Sequence, residues 1–87
     1  MAKKVWLITG ASRGLGYQWA TAALEQGDFV AATARDTAAL AALRDIHGDA
    51  LEPIMLDVTN RAACFAAVKA AHDRFGRLDI VVNNAGY

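Results

Sequence analysis

One cysteine, one proline and two histidines are all this 87-residue chain has of those residue types. With Cys64 alone there is no internal disulfide framework, which fits a reducing compartment. Two isolated histidines, without cysteines or acids at ligand spacing, make no metal site. His72 is expected as a partly buried packing residue on its helix, and His47 as a helix-end residue suited to the dipole. Charge is balanced, with nine basic and nine acidic residues. No basic run exists beyond Lys3-Lys4, so a nucleic-acid or anionic-membrane partner is unsupported. Zero net charge also gives little protection against self-association. No apolar run approaches the ~18 residues of a membrane span. Lys4 leads straight into a strand pattern, which leaves no room for the apolar core of a signal peptide, and the expected location is the cytoplasm. Linkers and low-complexity segments are also lacking. What remains is 55% hydrophobic and 21% charged, the composition of one small globular domain with a modest core.

The stretch around which that domain is organised is Thr9-Gly10-Ala11-Ser12-Arg13-Gly14-Leu15-Gly16. It follows the apolar run Val5-Trp6-Leu7-Ile8, a short buried strand, and precedes a helical pattern from about Leu15 to Gln26. Strand, glycine-rich turn and helix in that order is where a mostly parallel sheet binds a nucleotide phosphate. Gly10 permits the tight turn out of the strand. Gly14 and Gly16 remove side chains where backbone must approach a pyrophosphate or a neighbouring strand. The first helical turn then directs unpaired N–H groups at the anion.

The rest of the chain repeats the strand–helix alternation. Phe29 to Thr33 reads as a second strand, Leu51 to Leu56 as a third and Leu78 to Val82 as a fourth. Helices of about eleven to fifteen residues separate them. The first helix is expected to bury Leu15, Trp19, Ala22 and Ala23 and to stop at Gly27. The second begins near Asp36 or Thr37 and buries Leu40, Leu43 and Ile46. The third is capped by Thr59, presents Phe65, Val68, His72 and Phe75 along one side, and breaks at Gly76. Pro53 has no ladder donor, which places the third strand at an edge. The expected fold is α/β, a four-stranded parallel sheet in the Rossmann-type order 3-2-1-4 with helices on both faces.

The T-G-x-x-x-G-x-G spacing of the turn, together with Asn83-Asn84-Ala85-Gly86 at the other end of the chain, resembles the short-chain dehydrogenase/reductase family. The resemblance covers essentially the whole chain but only the N-terminal, cofactor-binding part of a family member, so residues 1–87 are expected to be one part of a single dinucleotide-binding domain. It implies cofactor contacts at Gly10, Ser12, Arg13, Gly14, Leu15 and Gly16 in the turn. It also implies adenine contacts at Asp57 and Val58, and backbone at Asn83, Ala85 and Gly86 lying against the riboses.

The end of the second strand bears on which cofactor. A carboxylate there binds the adenosine ribose diol and repels a 2′-phosphate. At the position where the family carries that acid this chain has Ala34, followed by Arg35. A cation beside the ribose accommodates the extra phosphate, and with Arg13 as a second cation the pattern resembles members that prefer NADP(H) to NAD(H). Asp36 can pair with Arg35 or cap the second helix. The family's chemistry is hydride transfer between a nicotinamide and a carbonyl or alcohol, with small-molecule substrates and homo-oligomeric parents. Its catalytic Y-x-x-x-K motif has no counterpart here: Tyr17 is followed four places on by Thr21, and Tyr87 abuts N-N-A-G. No catalytic residue is assigned. The chain reads as the NADP(H)-binding portion of an oxidoreductase, or alternatively as a non-catalytic nucleotide-binding or structural half-domain.

Overall fold

Parallel strands without turns to join them require helical crossovers, and the chain supplies one for each gap. The computed structural model describes residues 3–11, 14–57 and 59–84. Its elements are β1 (Val5–Thr9), α1 (Gly14–Glu25), β2 (Phe29–Ala34), a 3-10 turn (Thr37–Leu40) running into α2 (Ala41–His47), a second 3-10 turn (Gly48–Ala50), β3 (Leu51–Met55), α3 (Arg61–Phe75) and β4 (Ile80–Asn83). All strand pairs are parallel, in the order β3-β2-β1-β4, as expected. Pro53 sits in the edge strand β3, where its missing N–H leaves no interior ladder bond unmade.

Alternation along the central strands divides the core between the two faces of the sheet. Ile8, Val30 and Ala32 pack with Ala20, Ala23 and Leu24 of α1 and with Leu40 and Leu43. Leu7 and Ala31 pack on the opposite face with Ala71 of α3, and Phe75 closes over that cluster while stacking on Phe29 at 5.2 Å.

Several expected helix faces are corrected. In α1 the buried residues are Gly16, Ala20, Ala23 and Leu24, while Leu15 and Trp19 are exposed. The i, i+4, i+7, i+8 spacing is present, but one residue later. Small residues let the helix lie close to the sheet, and that closeness selects the phase. The same holds for α3, which buries Ala67 and Ala71 and leaves Phe65, Val68 and His72 outside. Ile46 of α2 is likewise exposed. Thr59 does not cap α3. Asn60 does, its Oδ1 accepting from the Ala63 N–H at 3.0 Å. Gly27 and Gly76 end α1 and α3 with positive φ, as expected.

At the N-terminal end of the sheet, Asp28 is a buried carboxylate that accepts from the Lys4 N–H (3.1 Å), the Trp6 Nε1–H (3.0 Å) and Gln26 Nε2 (2.7 Å). The indole hydrogen bond leads the causes that hold this carboxyl below its ordinary value of 3.8, against the opposing effect of burial. A depressed carboxyl stabilises the fold fully above its unfolded pKa, and the contribution is lost as pH falls through the lower folded value. Asp28→Ala is therefore expected to cost about 1–3 kcal/mol near neutral pH, since it removes the acceptor of three donors. Its loss of stability in acid, below about pH 4, should be shallower than that of the wild type. Urea unfolding at several pH values measures both; equal acid slopes would contradict the assignment.

Candidate functional site

The C-terminal ends of all four strands open on one side of the sheet, and the residues expected to act converge there. β1 ends at Thr9, and the chain turns at Gly10, whose φ of 64° lies in the left-handed region that favours glycine. Thr33 at the end of β2 holds the turn in place. Its hydroxyl accepts from the Gly10 N–H at 3.3 Å, and its carbonyl accepts from the Ala11 N–H at 2.9 Å. Gly14 opens α1, again with a φ of 64°, and a Cβ there would meet no atom within 4 Å. Gly16 is different. A Cβ at this position would run into the Gly10 carbonyl oxygen and lie 2.6 Å from Asn84 Nδ2. The first turn of α1 thus rests directly on the backbone leaving β1. No acidic residue stands in that turn, so its N–H groups face the crevice without a competing carboxylate.

The far side of the crevice is tied to the same turn. Asn84 Nδ2 donates to the Gly10 carbonyl at 3.2 Å, and the Asn84 N–H donates to the Thr9 hydroxyl at 3.0 Å. The Thr9 hydroxyl in turn has the Val82 carbonyl at 3.4 Å and Asn83 Oδ1 at 3.2 Å as acceptors. β1 and β4 therefore end as one cross-linked unit.

Beyond β2 and β3 lie the charged residues. Ala34 is buried, and no carboxylate occupies its position. Arg35 Nη2 stands 3.8 Å from Asp57 Oδ2, with side-chain exposures of 82% and 51%. Asp36 caps the following 3-10 turn, its Oδ1 accepting from the Ala38 N–H at 2.9 Å, so of its two expected roles it takes the capping one. Asp57 makes an Asx-type turn, accepting from the Thr59 N–H (3.0 Å) and hydroxyl (2.7 Å). Those two bonds, and then the Arg35 cation, hold its carboxyl below the ordinary range.

Of the expected contact residues, Gly10, Gly14, Gly16, Arg35, Asp57 and Asn83 are brought to this one end of the sheet. Leu15 is there too, in the first turn of α1 with its side chain exposed. Ser12, Arg13, Val58, Ala85 and Gly86 lie outside the described residues. Thr9, Thr33 and Asn84 were not among the expected contacts, although they build the turn. Thr33 carried a signal: it is the single polar residue in the apolar run of β2. Among the described residues no group of three or more His, Cys, Asp or Glu side chains can hold a metal ion, and no helix is long and apolar enough to cross a membrane.

The geometry has close counterparts in known proteins. A family model described as short chain dehydrogenase matches residues 4–87. Oxidoreductase BOA17 of Botryotinia fuckeliana is 51% identical over 85 residues, which are 97% of this chain and 31% of that protein. The crystal structure of a short-chain dehydrogenase from Streptomyces avermitilis superposes with a TM-score of 0.93 at 46% identity, over 98% of this chain and 31% of that one. A 3-ketoacyl-(acyl-carrier-protein) reductase from Brucella melitensis, complexed with NADH, matches with a TM-score of 0.81 at 37% identity, over 90% of this chain and 32% of that one. The chain thus spans about a third of the length of these relatives.

Proposed function

This chain belongs to the short-chain dehydrogenase family, and from that premise we propose that it is the N-terminal, NADP(H)-binding portion of an oxidoreductase domain acting on a small carbonyl or alcohol. The observation that carries the reading is the contact of Gly16 with the Gly10 backbone, which sets the first turn of α1 against the end of β1. That arrangement aims unpaired N–H groups at a pyrophosphate and leaves no Cβ in its way. The residues present fit such a group: two glycines with left-handed φ, an N-terminal helical turn without acid, and a carboxylate and an amide at the C-terminal ends of the two edge strands. When bound, the nicotinamide would supply the hydride chemistry.

The division of labour follows the family resemblance. Gly10, Ser12, Arg13, Gly14, Leu15 and Gly16 cradle the phosphates, with Ser12 donating a hydroxyl proton and Arg13 supplying charge. Asp57 and Val58 take the adenine end. Asn83, Ala85 and Gly86 pass beside the riboses. The exposed Arg35 guanidinium, next to a position that lacks the usual acid, favours a 2′-phosphate over a free ribose diol. We place the parent in the cytoplasm as a homo-oligomer with neither nucleic acid nor membrane as partner.

In the complete protein, Arg35→Asp is expected to shift the ratio of Michaelis constants from NADPH towards NADH by at least about tenfold. It removes a charge-assisted contact, worth about 1.5–3 kcal/mol, and adds a ribose acceptor. Steady-state kinetics with both cofactors reads the ratio, and an unchanged ratio would remove Arg35 as the discriminator.

A further inference from the structure

Arg35 follows β2 and Asp57 follows β3, and the ladder between those strands continues to this point, with the Leu56 N–H donating to the Ala34 carbonyl at 2.9 Å. The two side chains meet across that seam. The carboxylate is divided between two tasks. Its Oδ1 is taken by the Thr59 N–H and hydroxyl, which fixes Asp57 in its turn. Its Oδ2 faces the guanidinium. The cation expected to meet a 2′-phosphate is therefore already opposed by an anion held in place by other bonds.

We propose that Asp57 is a positioning residue for cofactor specificity, which holds Arg35 over the β2–β3 seam and competes with the 2′-phosphate for its guanidinium. The inference rests on the reading of this crevice as an NADP(H) site. An incoming phosphate must share or displace the carboxylate, and the two anions repel each other. The Arg35–Asp57 pair thereby limits the preference for the phosphorylated cofactor. Because the pair is exposed and 3.8 Å long, the limit is modest, about two- to fivefold in relative affinity.

Asp57→Asn tests this, since the amide oxygen can still accept from Thr59 while the charge is gone. Dissociation constants of 2′,5′-ADP and 5′-AMP are measured by calorimetry on the complete protein, in the wild type, Asp57→Asn, Arg35→Gln and the double variant. Any direct contact of Asp57 with adenine affects both nucleotides and cancels in their ratio. The expected result is a two- to fivefold rise in preference for 2′,5′-ADP in Asp57→Asn, and a smaller rise when the same substitution is made on Arg35→Gln, where only the direct repulsion between the two anions is relieved. Asp57→Ser, which also removes the charge, should reproduce the rise and serves if the Asn variant folds poorly. A ratio that is unchanged or lowered by both substitutions overturns the inference, and so does an equal rise without Arg35. If Arg35→Gln itself leaves the preference intact, the NADP(H) reading fails instead. If neither nucleotide binds, both fail.

Discussion

Gly16→Ala is expected to abolish cofactor binding and to destabilise the fold by about 1–3 kcal/mol or more. The new methyl group would meet the Gly10 carbonyl oxygen, a backbone atom, and would lie 2.6 Å from Asn84 Nδ2. Neither neighbour is free to retreat. The Gly10 turn is pinned through Thr33 by two hydrogen bonds, and Asn84 is held by its own bonds to Gly10 and Thr9. Relief requires α1 to lift from the end of β1, which moves its N-terminal N–H groups away from the pyrophosphate position. Removing the side chain in Asn84→Ala should not rescue the variant, because the nearer obstacle is backbone. Gly14→Ala provides the contrast. Its methyl would enter open space, so its cost is the left-handed conformation alone, about 1–2 kcal/mol. Denaturant unfolding together with titration of NADPH fluorescence measures each variant. Wild-type affinity in Gly16→Ala would mean that the helix does not need its close seat on the turn.

The 87-residue polypeptide, produced alone, is expected to catalyse no carbonyl reduction and to self-associate. Proton transfer to a carbonyl oxygen needs a donor within hydrogen-bond reach, about 3 Å. No tyrosine with a lysine four places on follows β4 within these residues. The association follows from the two edges of the sheet, which differ. β3 carries Pro53 and the charged Glu52, both of which blunt an edge. β4 has neither. It reads Ile-Val-Val-Asn and pairs with β1 on one side only. Val81 is 55% exposed, and it lies beside Leu7, whose face of the sheet is covered by α3 alone among the described helices. Phe65 and Val68 of α3 are exposed as well, which adds apolar surface to a domain small enough to have little stability in reserve. Size-exclusion chromatography with light scattering tests the association, and a monodisperse, cooperatively unfolding monomer at about tens of micromolar would refute it. NADPH-dependent reduction of a carbonyl compound by the same sample would refute the first expectation and would also dispose of the non-catalytic alternative.

The strands, the glycine turn and the order of the sheet were legible in the chain because each depends on local or nearly local chemistry. A near-continuous apolar run such as Leu7-Ile8 can only be a covered strand here, glycine alone tolerates the φ of Gly10 and Gly14 without strain, and Pro53 excludes β3 from the interior. The helix faces were not legible. In α1 and α3 the large apolar residues set one apparent stripe, yet the docked face is built from Gly16, Ala20 and Ala23, and from Ala67 and Ala71. Close approach to a sheet rewards small side chains, and only the neighbouring element determines which small ones are turned inward. The same division runs through the site. The sequence by itself determined where the glycine turn lies and that Ala34, followed by Arg35, ends the second strand without an acid. Tertiary structure alone decided that Arg35 meets Asp57, twenty-two positions away, rather than its neighbour Asp36. It also decided that Thr33 and Asn84 brace the turn from two other strand ends. Those partners are distant in the chain and adjacent only because parallel strands bring their C-terminal ends to one edge.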